Sequence, residues 1–174
     1  MGIYWDNLCQ AMSLLAEHPR SVFIGQAVRY SGTAMYNSLK HIPENKRIEL
    51  PVFENTQLGM AIGASLNGDL PICIYPRINF LLEATSQLVS HLDKLSRYSD
   101  YRPKVIIRTA VAHSKPLNPG IQHLGDYTWA LAGMLTDTKV YSLENTNDII
   151  STYQEALAAN NSSVIIEHMR YYDS

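Results

Sequence analysis

The feature that most limits the fold of this chain is a rhythm. Short runs rich in branched and apolar residues, Val22–Gln26, Arg47–Phe53, a run around Pro71-Ile72-Cys73, Lys104–Val111, Lys139–Leu143 and Ser163–His168, alternate with segments of helical period. A run that is apolar at nearly every residue is buried on both faces. Strands of that kind alternating with helices imply an α/β fold: a mostly parallel sheet with helices on both faces. The intervening segments supply those helices. Trp5, Leu8, Met12 and Leu15 mark one over Tyr4–Glu17, stopped by His18-Pro19, and Ser31–His41 forms another, closed by Pro43. Leu81, Ala84, Leu88, Leu92 and Leu95 mark a long helix from about Ile78 to Tyr98, with His91 at the edge of its apolar face as a structural residue. Asn145 caps a last helix reaching Asn160, with an acid at Asp148.

A length of 174 residues suits one domain, taken as 1–174, with a core built from the 46% of residues that are hydrophobic. A net charge of −2 offers no surface for nucleic acid or a membrane. Cys9 and Cys73 are far apart with no CxxC, which supports neither a metal site nor a disulfide framework. Cys73, inside an apolar strand, reads as a small buried hydrophobe. With no basic leader and no run of about 20 apolar residues, the expected location is cytoplasmic.

The chemistry concentrates between Glu49 and Phe80, ELPVFENTQLGMAIGASLNGDLPICIYPRINF. Glu54 stands where a strand gives way to a helix of small residues. By itself it is equally a first-turn acid favoured by the helix dipole. Gly59 and Gly63 fall four apart in that helix, where each costs about 1 kcal/mol relative to Ala, so a backbone packed closely against something is expected there.

Pro51, Val52, Glu54, Gly59, Ala61, Gly63 and Ala64, then Pro71-Ile72-Cys73 and Asn79-Phe80, resemble the β subunit of the 2-oxo acid dehydrogenase E1 components. More broadly they resemble the pyrimidine-binding domain of the transketolase-like thiamine diphosphate enzymes, and the similarity spans roughly Val22–Tyr171. The resemblance implies that Glu54 binds the ring nitrogen of the cofactor's aminopyrimidine. Sharing a proton there activates the thiazolium, a role that needs a dry pocket. It implies cofactor-binding roles for Phe80, packed on the pyrimidine, and for Tyr75 and Asn79 beside it. Phe80 alone is equally an ordinary core residue at a helix start. The Gln122-His123 pair matches the loop-to-helix junction from which the family's histidine reaches the reacting end of the cofactor. His123 is therefore the second catalytic candidate, although a histidine at a helix start also bonds backbone. His113 is the runner-up, because Thr109–His113 departs from the family's glycine-rich loop. Asn55, Thr56 and Gln57 depart as well, from an apolar residue, a glycine and an aromatic.

The family holds the cofactor's diphosphate and Mg²⁺ with a GDG motif and a downstream Asn, and neither Asn67-Gly68-Asp69-Leu70 nor Gly125-Asp126-Tyr127 supplies one. The expectation is a stand-alone pyrimidine-binding subunit that needs a diphosphate-binding α-type chain, which holds the Mg²⁺, in an α2β2 assembly. Its implied reaction cleaves or forms a C–C bond next to a carbonyl of a small 2-oxo acid or ketose, with E1-like decarboxylation fitting the matches best. A transketolase-like or acyloin-type transferase and a non-catalytic scaffold are the alternatives. A nucleotide-binding domain is weakened by the lack of GxGxxG after a strand.

Overall fold

Leu70–Ile74 (β3) is buried at every residue, and it lies near the middle of the sheet that the apolar runs build. A computed structural model describes residues 2–115 and 118–173. Its sheet has six parallel strands in the order β2-β1-β3-β4-β6-β5. These are β1 (Ser21–Gly25), β2 (Arg47–Glu49), β3, β4 (Ile106–Val111), β5 (Lys139–Leu143) and β6 (Ser163–His168). The α/β expectation holds, and the sheet is wholly parallel.

One face is covered by α1 (Ile3–Glu17), α2 (Ala34–Leu39) and α7 (Ile149–Ala158), whose Leu8, Met12, Leu39 and Tyr153 meet Phe23, Ile72 and Ile165. The other is covered by α3 (Glu54–Leu66), the 78–98 helical segment and α6 (Thr128–Met134), whose Leu58, Leu88 and Leu131 meet Cys73, Ile107 and Ile166. Each such aliphatic side chain contributes about 1.5–3 kcal/mol by leaving water. Ile72→Ala in β3 would therefore cost about 2–5 kcal/mol. Cys73 is fully buried as expected, and burial pushes its thiol up to about 12.

Several expectations need correction. β2 ends at Glu49 rather than Phe53: Leu50 N–H still bonds the Gly25 carbonyl, but Pro51 has no N–H to continue the ladder, and Val52 and Phe53 turn out to solvent. The 31–41 helix is reduced to Ala34–Leu39, opened by Thr33, whose Oγ1 accepts from Tyr36 N–H at 3.1 Å. The helix over 78–98 is not continuous α. It runs through α4 (Ile78–Leu81), a 3-10 turn at Leu82–Ala84 and a π turn at Gln87–Leu92, then breaks before α5 (Leu95–Tyr98).

Asp93 accounts for that break. Its N–H bonds Leu88 O at 3.0 Å, five residues back, and the wider turn brings its carboxylate to the inside with Leu92. There the carboxylate accepts from the N–H groups of Thr136, Asp137 and Thr138 and from Lys94 Nζ. Burial acts to raise the Asp93 carboxyl, but these donors hold it well below the usual carboxylate range. The expected close packing at Gly59 and Gly63 is not met within this chain. A Cβ at Gly59 would touch only the Gln87 side chain, at 3.8 Å, and one at Gly63 would meet nothing within 4 Å among the described residues.

Candidate active site

The chain leaves β1 outward to β2 and then crosses back to β3, so the connections from the neighbouring ends of β1 and β3 diverge. Divergence of this kind opens a crevice at the C-terminal edge of a parallel sheet. Every residue singled out for chemistry sits on the loops and helix starts that follow the strands at that edge. Gly25 closes β1 with φ +149°, and a Cβ there would lie 2.2 Å from Ile74 O, so glycine is required where β1 parts from β3.

Glu54 is the first residue of α3 and is only 9% exposed. Its carboxylate has no hydrogen-bond or ion-pair partner among the described residues. The fully buried Tyr75 follows β3, and its Oη donates to the Glu54 backbone carbonyl at 2.9 Å. Tyr75 thus meets Glu54 from below, at the backbone. Burial, with the nearby Cys73 and Glu54, pushes the Tyr75 hydroxyl far above its ordinary value, so it remains a donor.

Asn79 and Phe80 lie on α4. The Phe80 ring stands 5.5 Å from the His123 ring at 58°, and the Arg77 guanidinium sits 5.7 Å from the Phe80 centroid. His123 ends a 3-10 turn (Ile121–His123) that follows Gly120, at φ +89°. The structure therefore brings Phe80 and His123 together on the edge that carries Glu54.

Several unpaired buried polar atoms gather on this edge, while His18 Nδ1, Arg47 Nε, Thr109 Oγ1 and Ser163 Oγ are others, before or within the strands. Asn79 Oδ1, His123 Nδ1 and Gln26 Nε2 are buried atoms with no hydrogen-bond partner among the described residues. Gln57 Oε1, one turn along α3 from Glu54, is another. Buried polar atoms are normally paired, so a group of orphans on one edge asks for a partner. Gln26 and Gln57 were not singled out as site residues in the sequence. The signal for Gln26 was its place directly after the glycine that ends β1.

His113 does not join the Phe80 and His123 pair. It lies between two cavities of the same edge. One, of about 220 Å³, is also lined by Asp126, His168 and Arg170, and the other, of about 470 Å³, by Trp5, Thr33, Arg77 and Tyr172. Burial lowers His168 below the ordinary histidine range, against Asp126 and Glu144, and its Nε2 is 2.8 Å from Ser142 Oγ. Burial acts to raise Asp126, but the two bonds from Thr128 and the nearby His168 and Arg170 bring it below its ordinary value. A hollow of about 480 Å³ at the opposite edge is lined by Asp137, Lys139 and Glu155, with Lys139 paired to Glu155 and Asp137 to Arg97.

Among the described residues, no group of three or more His, Cys, Asp or Glu side chains is placed to hold a metal ion, and no helix is long and apolar enough to cross a membrane.

No protein-family model matches the chain. It is 26% identical over 171 residues to the β subunit of the human mitochondrial pyruvate dehydrogenase E1 component, covering 96% of this chain and 47% of that one. The corresponding subunit of Chaetomium thermophilum is 26% identical over 161 residues, covering 91% and 42%. The chain thus spans about half the length of the curated relatives it matches. Among solved structures, a split-gene transketolase, an inactive β4 tetramer, superposes with a TM-score of 0.73 at 18% identity, over 95% of this chain and 51% of that one. A Mycobacterium smegmatis protein assigned to the thiamin diphosphate-dependent enzymes superposes with a TM-score of 0.66 at 15% identity, over 92% and 30%. Over nearly its whole length the chain is similar to the β subunit of the pyruvate dehydrogenase E1 component, and it has the fold of the pyrimidine-binding domain of the transketolase-like thiamine diphosphate enzymes.

Proposed function

We propose that this chain, as one domain over 1–174, is the pyrimidine-binding, β-type subunit of a split cytoplasmic thiamine diphosphate enzyme. Its reaction is E1-like decarboxylation of a 2-oxo acid. A diphosphate-binding α-type chain, holding Mg²⁺, completes the site in an α2β2 assembly. The observation that carries this reading is Glu54: an acid 9% exposed at a helix start, without a side-chain partner among the described residues, on the edge where β1 and β3 part.

The chain's own groups fit the cofactor's ring. An aminopyrimidine presents acceptor nitrogens and an amino donor, and the edge presents the Glu54 carboxyl, the orphaned Gln26 Nε2 donor and the orphaned Asn79 Oδ1 acceptor. When bound, the cofactor supplies the nucleophilic carbon that the reaction needs. Glu54 would share a proton with the ring nitrogen, Phe80 would pack on the ring, and His123 would hold or move a proton at the reacting end. The need for a second chain is supported by the surface around these groups. Phe53, Ile121 and Trp129 flank them at 61%, 90% and 89% exposure, an apolar rim suited to a partner that closes the crevice and excludes water.

The cavity shared by His113, His168 and Arg170 favours a second reading, a transketolase-like transfer. Arg170 and the His113 and His168 imidazoles beside the His123 loop would donate to a substrate with an anionic tail, such as a ketose phosphate, against the Asp126 carboxylate that lines the same cavity.

Calorimetric titration of thiamine diphosphate with Mg²⁺ tests the proposal, using the chain alone and mixed with the product of the neighbouring reading frame. Binding only in the mixture, lost in Glu54→Gln, is expected. Turnover of 2-oxo acids against ketose phosphates then separates the two reactions. A stable complex that binds no cofactor would leave the chain a scaffold.

A further inference from the structure

Gln57 is fully buried where the resembling family has an aromatic residue. An amide in that place needs a physical reason, because burying it without partners costs about 1–3 kcal/mol. Its Nε2 donates to Ile74 O at 2.8 Å and lies 3.4 Å from Cys73 Sγ. Ile74 is the last residue of β3, and Tyr75, the next, returns the gesture: its Oη donates to the carbonyl of Glu54, three residues before Gln57 on α3. A side chain of α3 therefore holds the backbone at the end of β3, and a side chain from the end of β3 holds the backbone of α3. Gly25 packs on the same bonds, since a Cβ there would lie 2.9 Å from Gln57 Nε2.

We propose that Gln57 and Tyr75 form a reciprocal hydrogen-bond clamp that fixes the first turn of α3 to the ends of β1 and β3, and that both are positioning residues for the Glu54 carboxyl. The inference rests on the reading of Glu54 as the cofactor's acid. Neither residue touches the reacting atoms. Each bond of the clamp is sheltered from water, where a lost partner leaves a carbonyl with no solvent to replace it. The location is specific: Tyr75 grips the backbone of Glu54 itself, and Gln57 sits one turn away on the same buried face. A residue needed only for packing would serve there as Leu or Met, and Tyr75 as Phe.

The test uses the full chain with Tyr75→Phe and Gln57→Met, which keep side-chain size and remove the donors. Backbone amide exchange of the chain alone is expected to accelerate about tenfold at Gln57 and Leu58, with the rest of α3 and β3 unchanged. In the assembled enzyme the same variants are expected to lower kcat about tenfold at unchanged substrate KM. Unchanged exchange in both variants, or acceleration spread evenly over α3 and the sheet, would overturn the clamp. Local acceleration with wild-type kcat in an active assembly would overturn the positioning role. A wild-type assembly that binds no thiamine diphosphate would instead sink the functional reading, while the exchange result still decides whether the clamp exists.

Discussion

The two faces of the sheet's C-terminal edge treat buried polar groups in opposite ways. Under α1, α2 and α7, the fully buried Arg108 pairs with the fully buried Glu167, and every neighbour completes the arrangement. Arg108 Nη2 donates to Glu167 Oε2 at 3.1 Å and Nη1 to Ser38 Oγ at 2.8 Å. Tyr153 and Tyr172 donate their hydroxyls to the same carboxylate at 3.2 and 2.7 Å, and Tyr4 donates to Leu143 O at 2.7 Å. Burial, reinforced by the Glu167 charge, pushes the Tyr153 and Tyr172 hydroxyls well above their ordinary range, so they stay donors. Elsewhere on that edge, the Glu54 carboxylate has no partner among the described residues, and Gln26, Asn79 and His123 each bury an atom unpaired among them. A closed network serves the fold, because each buried charge is answered within the chain. An open one, on an edge flanked by exposed apolar side chains, is what the proposed cofactor and partner chain would complete.

That contrast breaks if the closed face proves dispensable. Glu167→Gln should cost about 3–5 kcal/mol, because it strands the Arg108 charge in the core. Urea denaturation of the chain alone checks this, and a loss below about 1 kcal/mol would mean the network is not a stability element. The open face should behave in reverse. Glu54→Gln should reduce turnover of the assembled enzyme by about a thousandfold while leaving the urea midpoint nearly unchanged. Retained activity would remove Glu54 from the mechanism.

His123→Ala should lower kcat about a hundredfold with little change in cofactor affinity, measured by steady-state kinetics beside calorimetry. An unchanged rate would move the role to His113. The smallest effect expected belongs to Asp93, a closed network at the other end of the molecule, where Asp93→Asn should cost about 1–3 kcal/mol. Because the folded state depresses this carboxyl, its contribution is fully present above the ordinary aspartate value of about 3.9 and is lost as pH falls below it. Acid titration of stability should therefore be shallower in Asp93→Asn than in wild type.

How much of this was legible depended on how far each property reaches along the chain. β6 lies on its expected residues, because a strand buried on both faces must be nearly apolar throughout, and β5, a half-exposed edge strand, also matches its expected bounds. The cap at Asn145 was equally local, its Oδ1 accepting from Asn147 N–H at 3.0 Å, but it opens a 3-10 turn over Thr146–Asp148, and the α-helix behind it is shorter than expected, Ile149–Ala158. The break after Leu92 was not readable, since the donors that draw Asp93 inward come from Thr136 to Thr138, far along the chain. Gly59 and Gly63 look like close-packing residues in the sequence, yet the fold turns that face of α3 outward.

The site divides the same way. Glu54 at a strand-to-helix junction, the Asn79-Phe80 pair and His123 were visible in the sequence, because their types and spacing resemble one family. That Phe80 and His123 stand 5.5 Å apart was a matter of which loops share an edge. The sequence by itself determined the class of fold, where the strands fall to within a few residues, and which residues are candidates for the chemistry, since apolar pattern and residue type are written locally. Only the tertiary structure decided which polar groups are answered and which are left open. Hydrogen-bond satisfaction depends on neighbours from distant segments, and Gln57, visible in the sequence only as a departure from an aromatic, acquires its grip on β3 only where α3 crosses the strand's end.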